Sequence, residues 1–231
     1  MQQLLLDVFT PPHPNLNNFL IGANAQIMHL LNEFKMANSN CRHLYLWGPT
    51  GCGKTHLLRS TADQLHVPVN NGQSRFVFKP SHNHLIIDNI PALTQFSQIQ
   101  LFNAFNSSID GHMPHFILLA GEKHPSELSL RQDLRTRIEG GLCLRISPLT
   151  DEEKTQALQH IAQARGLELS TDLTEFALQN FRRDMGSLTA LIDGLDRFSL
   201  EQKKPVNLNL LRHWMRRRES LVVRENETRS I

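Results

Sequence analysis

Residues 43–55 read HLYLWGPTGCGKT, a short apolar run that breaks into glycines and ends on lysine and threonine. His43–Trp47 reads as a strand. The pattern that follows, with Leu57, Leu58, Ala62 and Leu65 on one side, reads as a helix. Between them Gly48–Thr55 matches G-x-x-x-x-G-K-[ST] in full. Glycines let backbone N–H groups turn inward around phosphates, and the start of a helix adds positive potential. Lysine reaches the outer phosphates, and the threonine hydroxyl suits Mg2+. We therefore expect Gly48, Pro49, Thr50, Gly51, Cys52, Gly53, Lys54, Thr55 and His56 to hold a nucleotide, with Thr55 as a metal-side ligand.

The strand-like run LIID ends at Asp88. A carboxylate at the end of a neighbouring strand can hold the water shell of the same metal, so Asp88 joins Thr55 in the expected Mg2+ site. The next residue is Asn89, where many hydrolysing P-loop ATPases carry a second acid. An amide can orient a water but cannot take its proton. The sequence thus predicts slow intrinsic hydrolysis.

Working outward, Arg75–Lys79, His84–Ile90, HFILLAG (115–121) and LCLRI (142–146) read as further strands. Phe96, Ile99, Phe102, Phe105 and Ile109 recur at helical spacing. Strands alternating with helices imply a parallel sheet covered on both faces. After Ser147–Pro148 the pattern is helical throughout. Thr150 with Glu153 forms a capping box, Gly166 stops that helix, and Asn207 can cap a last one. The expected fold is α/β, a P-loop parallel-sheet domain followed by a small all-helical lid. The boundaries are 1–14 for an N-terminal tag, 15–147 for the nucleotide-binding domain, 148–219 for the lid and 220–231 for a disordered tail.

The bulk composition agrees with an ordinary globular chain. Of 231 residues 40% are apolar and 20% charged. A net charge of +2 is too mild to mark a nucleic-acid binder by itself. Cys41, Cys52 and Cys143 are odd in number and far apart, which fits neither a disulfide framework nor a zinc site. No run reaches membrane-spanning length, and the N-terminal stretch lacks a signal peptide's basic flank. These readings predict a cytoplasmic protein with no membrane partner.

A P-loop domain followed by a helical lid resembles the AAA+ ATPases, and within them the DnaA-related proteins. NNFLIGANAQIMHLL (17–31) is similar to their pocket-forming segment, with Phe19, Gly22 and Asn24 in register. The resemblance puts Ile21 and Gly22 against an adenine, and ADP or ATP in the site. AGEKHPSELS and DLRTRI resemble the stretch from sensor strand to arginine finger. That places Arg137 on the catalytic finger position, acting in trans, with Arg135 just before it. RRDMGSL (182–188) resembles the lid motif whose arginine reads phosphates, here Arg183. Two departures stand out. Ala120–Gly121 fill positions where relatives carry Thr or Ser, and Glu122 replaces an Asp, which leaves the sensor role unassigned.

The likeness covers roughly residues 15–200. We expect no helix-turn-helix domain after the lid, and only 34 positions separate Lys54 from Asp88, little room for a helix gripping single-stranded DNA. With Asn89, this resembles the regulatory, DnaA-inactivating Hda family. That family carries a clamp-binding peptide at its N-terminus, and QLLLDVF (3–9) resembles one. Gln3 would bind a polar pocket, and Leu4, Leu6, Val8 and Phe9 an apolar cleft. The resemblance implies two partners: the DnaA initiator, and the DNA polymerase III β sliding clamp on DNA. It implies that Arg137 stimulates hydrolysis of DnaA-bound ATP. A homodimer stays open. The rivals are a free-standing ATPase such as a helicase loader or DnaA-like initiation factor, a small-molecule P-loop kinase, and a DNA-binding adaptor using RHWMRRRES (212–220).

Overall fold

Strands β1 (His43–Trp47) and β3 (His84–Asp88) are buried at their three central residues, and β4 (Phe116–Gly121) is buried at all six. The computed structural model describes residues 13–35, 42–79, 81 and 83–217. The tag expected at residues 1–14 falls almost wholly outside these, and the tail expected at 220–231 entirely so. The chain divides into two units, one over Pro14–Pro148 and one containing the described residues from Leu149 onward.

In the first unit five strands pair in parallel in the order β2-β3-β4-β1-β5, with β2 at Val69–Asn71 and β5 at Leu142–Arg145. Helices α1 (Ala25–Lys35), α2 (Lys54–Leu65), α3 (Gln95–Ile109) and α4 (Gln132–Glu139) cover its faces. The strand period of two sorts the core. Leu44, Leu46, Ile86, Leu118 and Ala120 pack with Leu57 and Leu58 of α2. Tyr45, Leu85, Ile87, Ile117 and Leu119 pack with Leu101 and Phe105 of α3 and with Leu134 and Ile138 of α4. Full burial of each such aliphatic side chain contributes about 1.5–3 kcal/mol.

Two expectations change. Residues 75–79 are not a strand, and the second strand is Val69–Asn71, in register with Ile86–Asp88 of β3. The Phe78 N–H is tied to the side chain of Gln100 (3.2 Å) instead of a ladder, and Phe76 enters the core from an irregular backbone. Helix α3 buries Ser97, Gln98, Leu101, Ala104, Phe105 and Ser108, while Phe96, Ile99 and Ile109 are exposed. Of the apolar stripe seen in the sequence, Phe105 is fully buried and Phe102 packs partly against the same core, while the other three members face away from the sheet.

In the second unit α5 (Asp151–Gln163) starts on the expected capping box. The Glu153 N–H donates to Thr150 Oγ1 (3.1 Å), and the Thr150 N–H donates to Glu153 Oε2 (2.7 Å). Helices α6 (Thr171–Asn180) and α7 (Met185–Gln202) follow, then a helix over residues 208–217, α8. Asn207 caps α8 by accepting from the Leu210 N–H at 2.9 Å. Leu158, Leu173, Leu191, Leu195, Phe198, Leu211 and Trp214 form a core of their own. Among the described residues no helix is long and apolar enough to cross a membrane.

Candidate functional site

The chain leaves β1 through Gly48–Gly53 and enters α2 at Lys54. Open parallel sheets bind ligands beyond the carboxyl ends of their strands, and this loop occupies that position. Gly53 stands at φ +103°, and a Cβ there would lie 2.7 Å from the Phe19 ring. A side chain would therefore meet both backbone strain and a collision. Gly53 is also the N-cap of α2 and makes no side-chain cap bond, so the first-turn N–H groups have no capping side chain. Those N–H groups, with the helix dipole behind them, suit an anion.

The polar side chains of the loop are already engaged. Lys54 Nζ donates to the carbonyls of Gly48 and Pro49, each at 2.8 Å. Thr55 Oγ1 donates to Asp88 Oδ2 at 2.6 Å, which brings the two expected metal-side groups together at the ends of α2 and β3. Both offer hard oxygen donors, the set that suits Mg2+. The other carboxylate oxygen of Asp88 accepts from the Asn89 N–H (2.9 Å). Asn89 itself adopts φ +55°, ψ +52°, a left-handed conformation that asparagine tolerates better than most side chains. The residue type at 89 thus has a backbone reason beside the chemical one read from the sequence.

Residues 15–24 fold against the first turn of α2. His56 Nε2 donates to the Asn15 carbonyl (3.0 Å), and the Phe19 and His56 rings lie 5.6 Å apart. Gly22 has φ +47°, and the Asn24 N–H closes the turn on the Ile21 carbonyl at 2.8 Å. Ile21, next to this turn, is 45% exposed. Asn24 is buried and fastened to Ser147 by two bonds. Its Nδ2 donates to the Ser147 carbonyl (2.9 Å), and its Oδ1 accepts from the Ser147 N–H (2.8 Å).

Glu122 joins the loop by a contact that the sequence reading left unassigned. Thr50 Oγ1 donates to Glu122 Oε1 at 2.7 Å, from the residue immediately after β4. An acid directly following a buried strand adjacent to β1 was the available signal. The two residues before it carry no polar side chain, since Ala120 and Gly121 end the strand. A Cβ at Gly121 would lie 2.3 Å from the Tyr45 hydroxyl, which donates to the Lys123 carbonyl (2.6 Å). The core tyrosine thus occupies the space above Gly121. Burial, with Cys143 nearby, raises the Tyr45 pKa well above its ordinary value, so it stays a neutral donor.

Arg137 lies elsewhere. It sits in the last turn of α4, with its guanidinium 5.9 Å from the Phe102 ring centre, and it is exposed. Its charge is felt at His43, the first residue of β1. The pKa of His43 is lowered to about 4 by burial, by Arg42 and by Arg137. The P-loop follows the last residue of β1, four steps away, or about 13 Å along the strand. The structure therefore does not bring Arg137 together with the P-loop side chains of its own unit. Among the described residues it has no carboxylate partner. Arg135 instead bonds Gln132 and lies 3.9 Å from Glu139. In the second unit Arg183 donates to the Leu178 carbonyl (3.1 Å) and pairs with Asp151 (3.4 Å). Gln3, Leu4, Leu6, Val8 and Phe9 lie outside the described residues.

Residues 151–221 match the family model described as the Hda lid domain. The fold as a whole is similar to domain III of the replication initiation protein DnaA from Thermotoga maritima. The TM-score is 0.69 at 22% identity, over 87% of this chain and 96% of that one. It is similar to AMPPCP-bound DnaA from Aquifex aeolicus, with a TM-score of 0.67 at 21% identity, over 84% and 68% of the two chains. It is similar too to RuvB from Thermotoga maritima, with a TM-score of 0.65 at 20% identity, over 89% and 72%. The fold is therefore the AAA+ one, a parallel-sheet P-loop unit followed by a helical lid. The likeness to DnaA-related proteins, and to Hda in the lid, agrees with the resemblance read from the sequence.

Proposed function

We propose that this chain is a regulatory AAA+ protein of replication initiation that brings an arginine to nucleotide held by a DnaA partner. Its P-loop, Gly48–Thr55 with His56, holds ADP or ATP, with Ile21 and Gly22 against the adenine and Arg183 toward the phosphates. Thr55 and Asp88 hold Mg2+ through its water shell, and that ion neutralises phosphate charge. QLLLDVF docks the protein on a DNA-loaded sliding clamp. Arg137 then completes the DnaA site in trans, where a guanidinium offsets charge on the outer phosphate oxygens as the leaving bond breaks.

The observation that carries this reading is the position of Arg137. It is an exposed arginine, without a carboxylate partner among the described residues, at the end of the sheet remote from its own P-loop. The test is single-turnover hydrolysis of labelled ATP pre-bound to DnaA, with clamp and DNA present. Wild-type protein should accelerate it, and Arg137→Ala should not, while still binding nucleotide and clamp. Full stimulation by Arg137→Ala would remove the in-trans role.

A second reading has one observation in its favour. The Glu122 carboxylate meets Thr50 at the P-loop, an acid on the neighbouring strand end where Asn89 offers none. A free-standing ATPase would use it. Steady turnover near one per second by the isolated protein, lost in Glu122→Gln, would favour that reading.

A further inference from the structure

The helical unit distributes its charge unevenly. Between residues 197 and 217 stand Arg197, Lys203, Lys204, Arg212, Arg216 and Arg217 against one carboxylate, Glu201. That surplus exceeds the net +2 of the whole chain, so the rest of the molecule is net acidic. The cations earlier in the unit are paired: Lys154 with Asp151, Arg165 with Asp193, Arg182 with Asp184, Arg183 with Asp151. Lys203, Lys204, Arg212 and Arg216 are all exposed, and none has a carboxylate partner among the described residues.

The placement of α8 turns this surplus outward. Leu210, Leu211 and Trp214 bury one side of the helix in the core of the unit. Arg212 and Arg216 fall four residues apart on the other side, about 6 Å along the axis. The Arg212 guanidinium lies 5.7 Å from the Phe176 ring centre. An aromatic face holds such a group in plane and leaves its N–H edge for planar, two-pronged recognition of phosphate.

We propose that this face of α8, with the turn at Lys203–Lys204, binds the phosphodiester backbone of duplex DNA without reading its sequence. Cations spread along a helix suit a polyanion with a charge every 1.7 Å or so of its axis, not a single converging phosphate. A membrane surface fits less well. An interfacial helix needs an apolar face to bury, but that of α8 is used internally, and Leu200 is the one large apolar side chain exposed among the described residues of this unit. The choice of duplex over an acidic polypeptide rests on the clamp reading, which places the chain beside DNA.

The test measures anisotropy of a labelled mixed-sequence duplex of about 30 base pairs with the full-length protein, in salt from about 50 to 200 mM. Neither clamp nor DnaA is present, so a failure of clamp docking or of Arg137 leaves this result readable. Wild type should bind in the micromolar range or weaker, with a steep salt dependence. The double variant Arg212→Ala, Arg216→Ala should lower the log–log salt slope by about two, since each phosphate contact contributes roughly 0.9. Arg59→Ala, an exposed cation of α2, should leave it unchanged. The charge-keeping pair Arg212→Lys, Arg216→Lys decides the matter if the alanine pair lowers thermal stability: a wild-type slope supports the proposal and a reduced one overturns it. Absence of duplex binding by wild type, or an unaltered slope in a folded alanine pair, overturns it. So does displacement of the duplex by polyglutamate or by anionic vesicles at lower charge concentration.

Discussion

At the carboxyl end of β1 the functional side chains are already engaged: Lys54 with the backbone carbonyls of the loop, Thr55 with Asp88, Thr50 with Glu122. At the amino end Arg137 lies over a phenylalanine ring and has no carboxylate partner among the described residues. Both ends belong to one sheet and one core. The first is organised before any ligand arrives, so a nucleotide must displace bonds already made, and affinity there depends on replacing them well. The second has little to give up. A guanidinium held by a ring and by solvent can pass to a partner's phosphate with modest loss, as a group acting on another molecule should.

Variants that touch one end and spare the other test this contrast. The largest effect belongs to Arg137→Lys. A point charge does not reproduce a planar fork, and a finger is worth about 10³–10⁵ in rate. Stimulation of DnaA-bound ATP hydrolysis should fall at least about 10³-fold in the single-turnover assay, with nucleotide retention at wild-type level. Lys54→Ala should do the reverse. Loss of charged hydrogen bonds worth about 1.5–3 kcal/mol weakens adenine-nucleotide affinity roughly 10- to 100-fold by calorimetry. If Arg137→Ala weakens nucleotide binding as much, the two ends are not independent.

Acid should expose the amino end next. His43 is ordinarily half-protonated near pH 6.5, but in the folded protein its pKa is about 4, because of burial first and then Arg42 and Arg137. The unfolded chain therefore takes up a proton that the folded one refuses. Stability from this group is full above pH 6.5 and is lost progressively toward pH 4, by about 2 kcal/mol after allowance for solvent screening. Urea unfolding of wild type and His43→Gln at several pH values should show a flatter profile for the variant. Arg137→Ala should move the His43 resonance midpoint upward by NMR. The smallest effect concerns Asn89. Ala at its left-handed backbone should cost about 1 kcal/mol and Gly close to none, measured by thermal unfolding. Equal losses for both would give the amide side chain a structural role of its own.

The P-loop and the buried strands were legible because each rests on a local rule. G-x-x-x-x-G-K-T is a contiguous motif, and runs such as FILLA are short, apolar and bounded by turn residues. The thirteen residues from His43 to Thr55 carried the fold for that reason. What was not legible depended on long-range choice. Val69–Asn71 outcompeted residues 75–79 for the edge of β3, although the latter alternate more convincingly. Helix α3 has apolar residues on two faces, and sequence periodicity does not say which face the sheet selects. Glu122 was visible as a residue but not as a neighbour of Thr50, because 72 positions separate them. Asn89 was read through its chemistry alone, since its positive φ becomes apparent only with the backbone in place.

The bonds between Asn24 and Ser147 span 123 positions of the chain, almost the full length of the α/β unit. They fasten the way in beside the way out. In topological terms the unit is a ring with a clasp, and the intervening positions form a loop whose closure entropy is recovered at one buried side chain. Such a ring can be opened elsewhere and re-joined at the clasp, or carried as an insert within another chain, because its two ends already lie together. Asn24→Ala would unfasten the clasp while leaving the P-loop residues themselves unchanged.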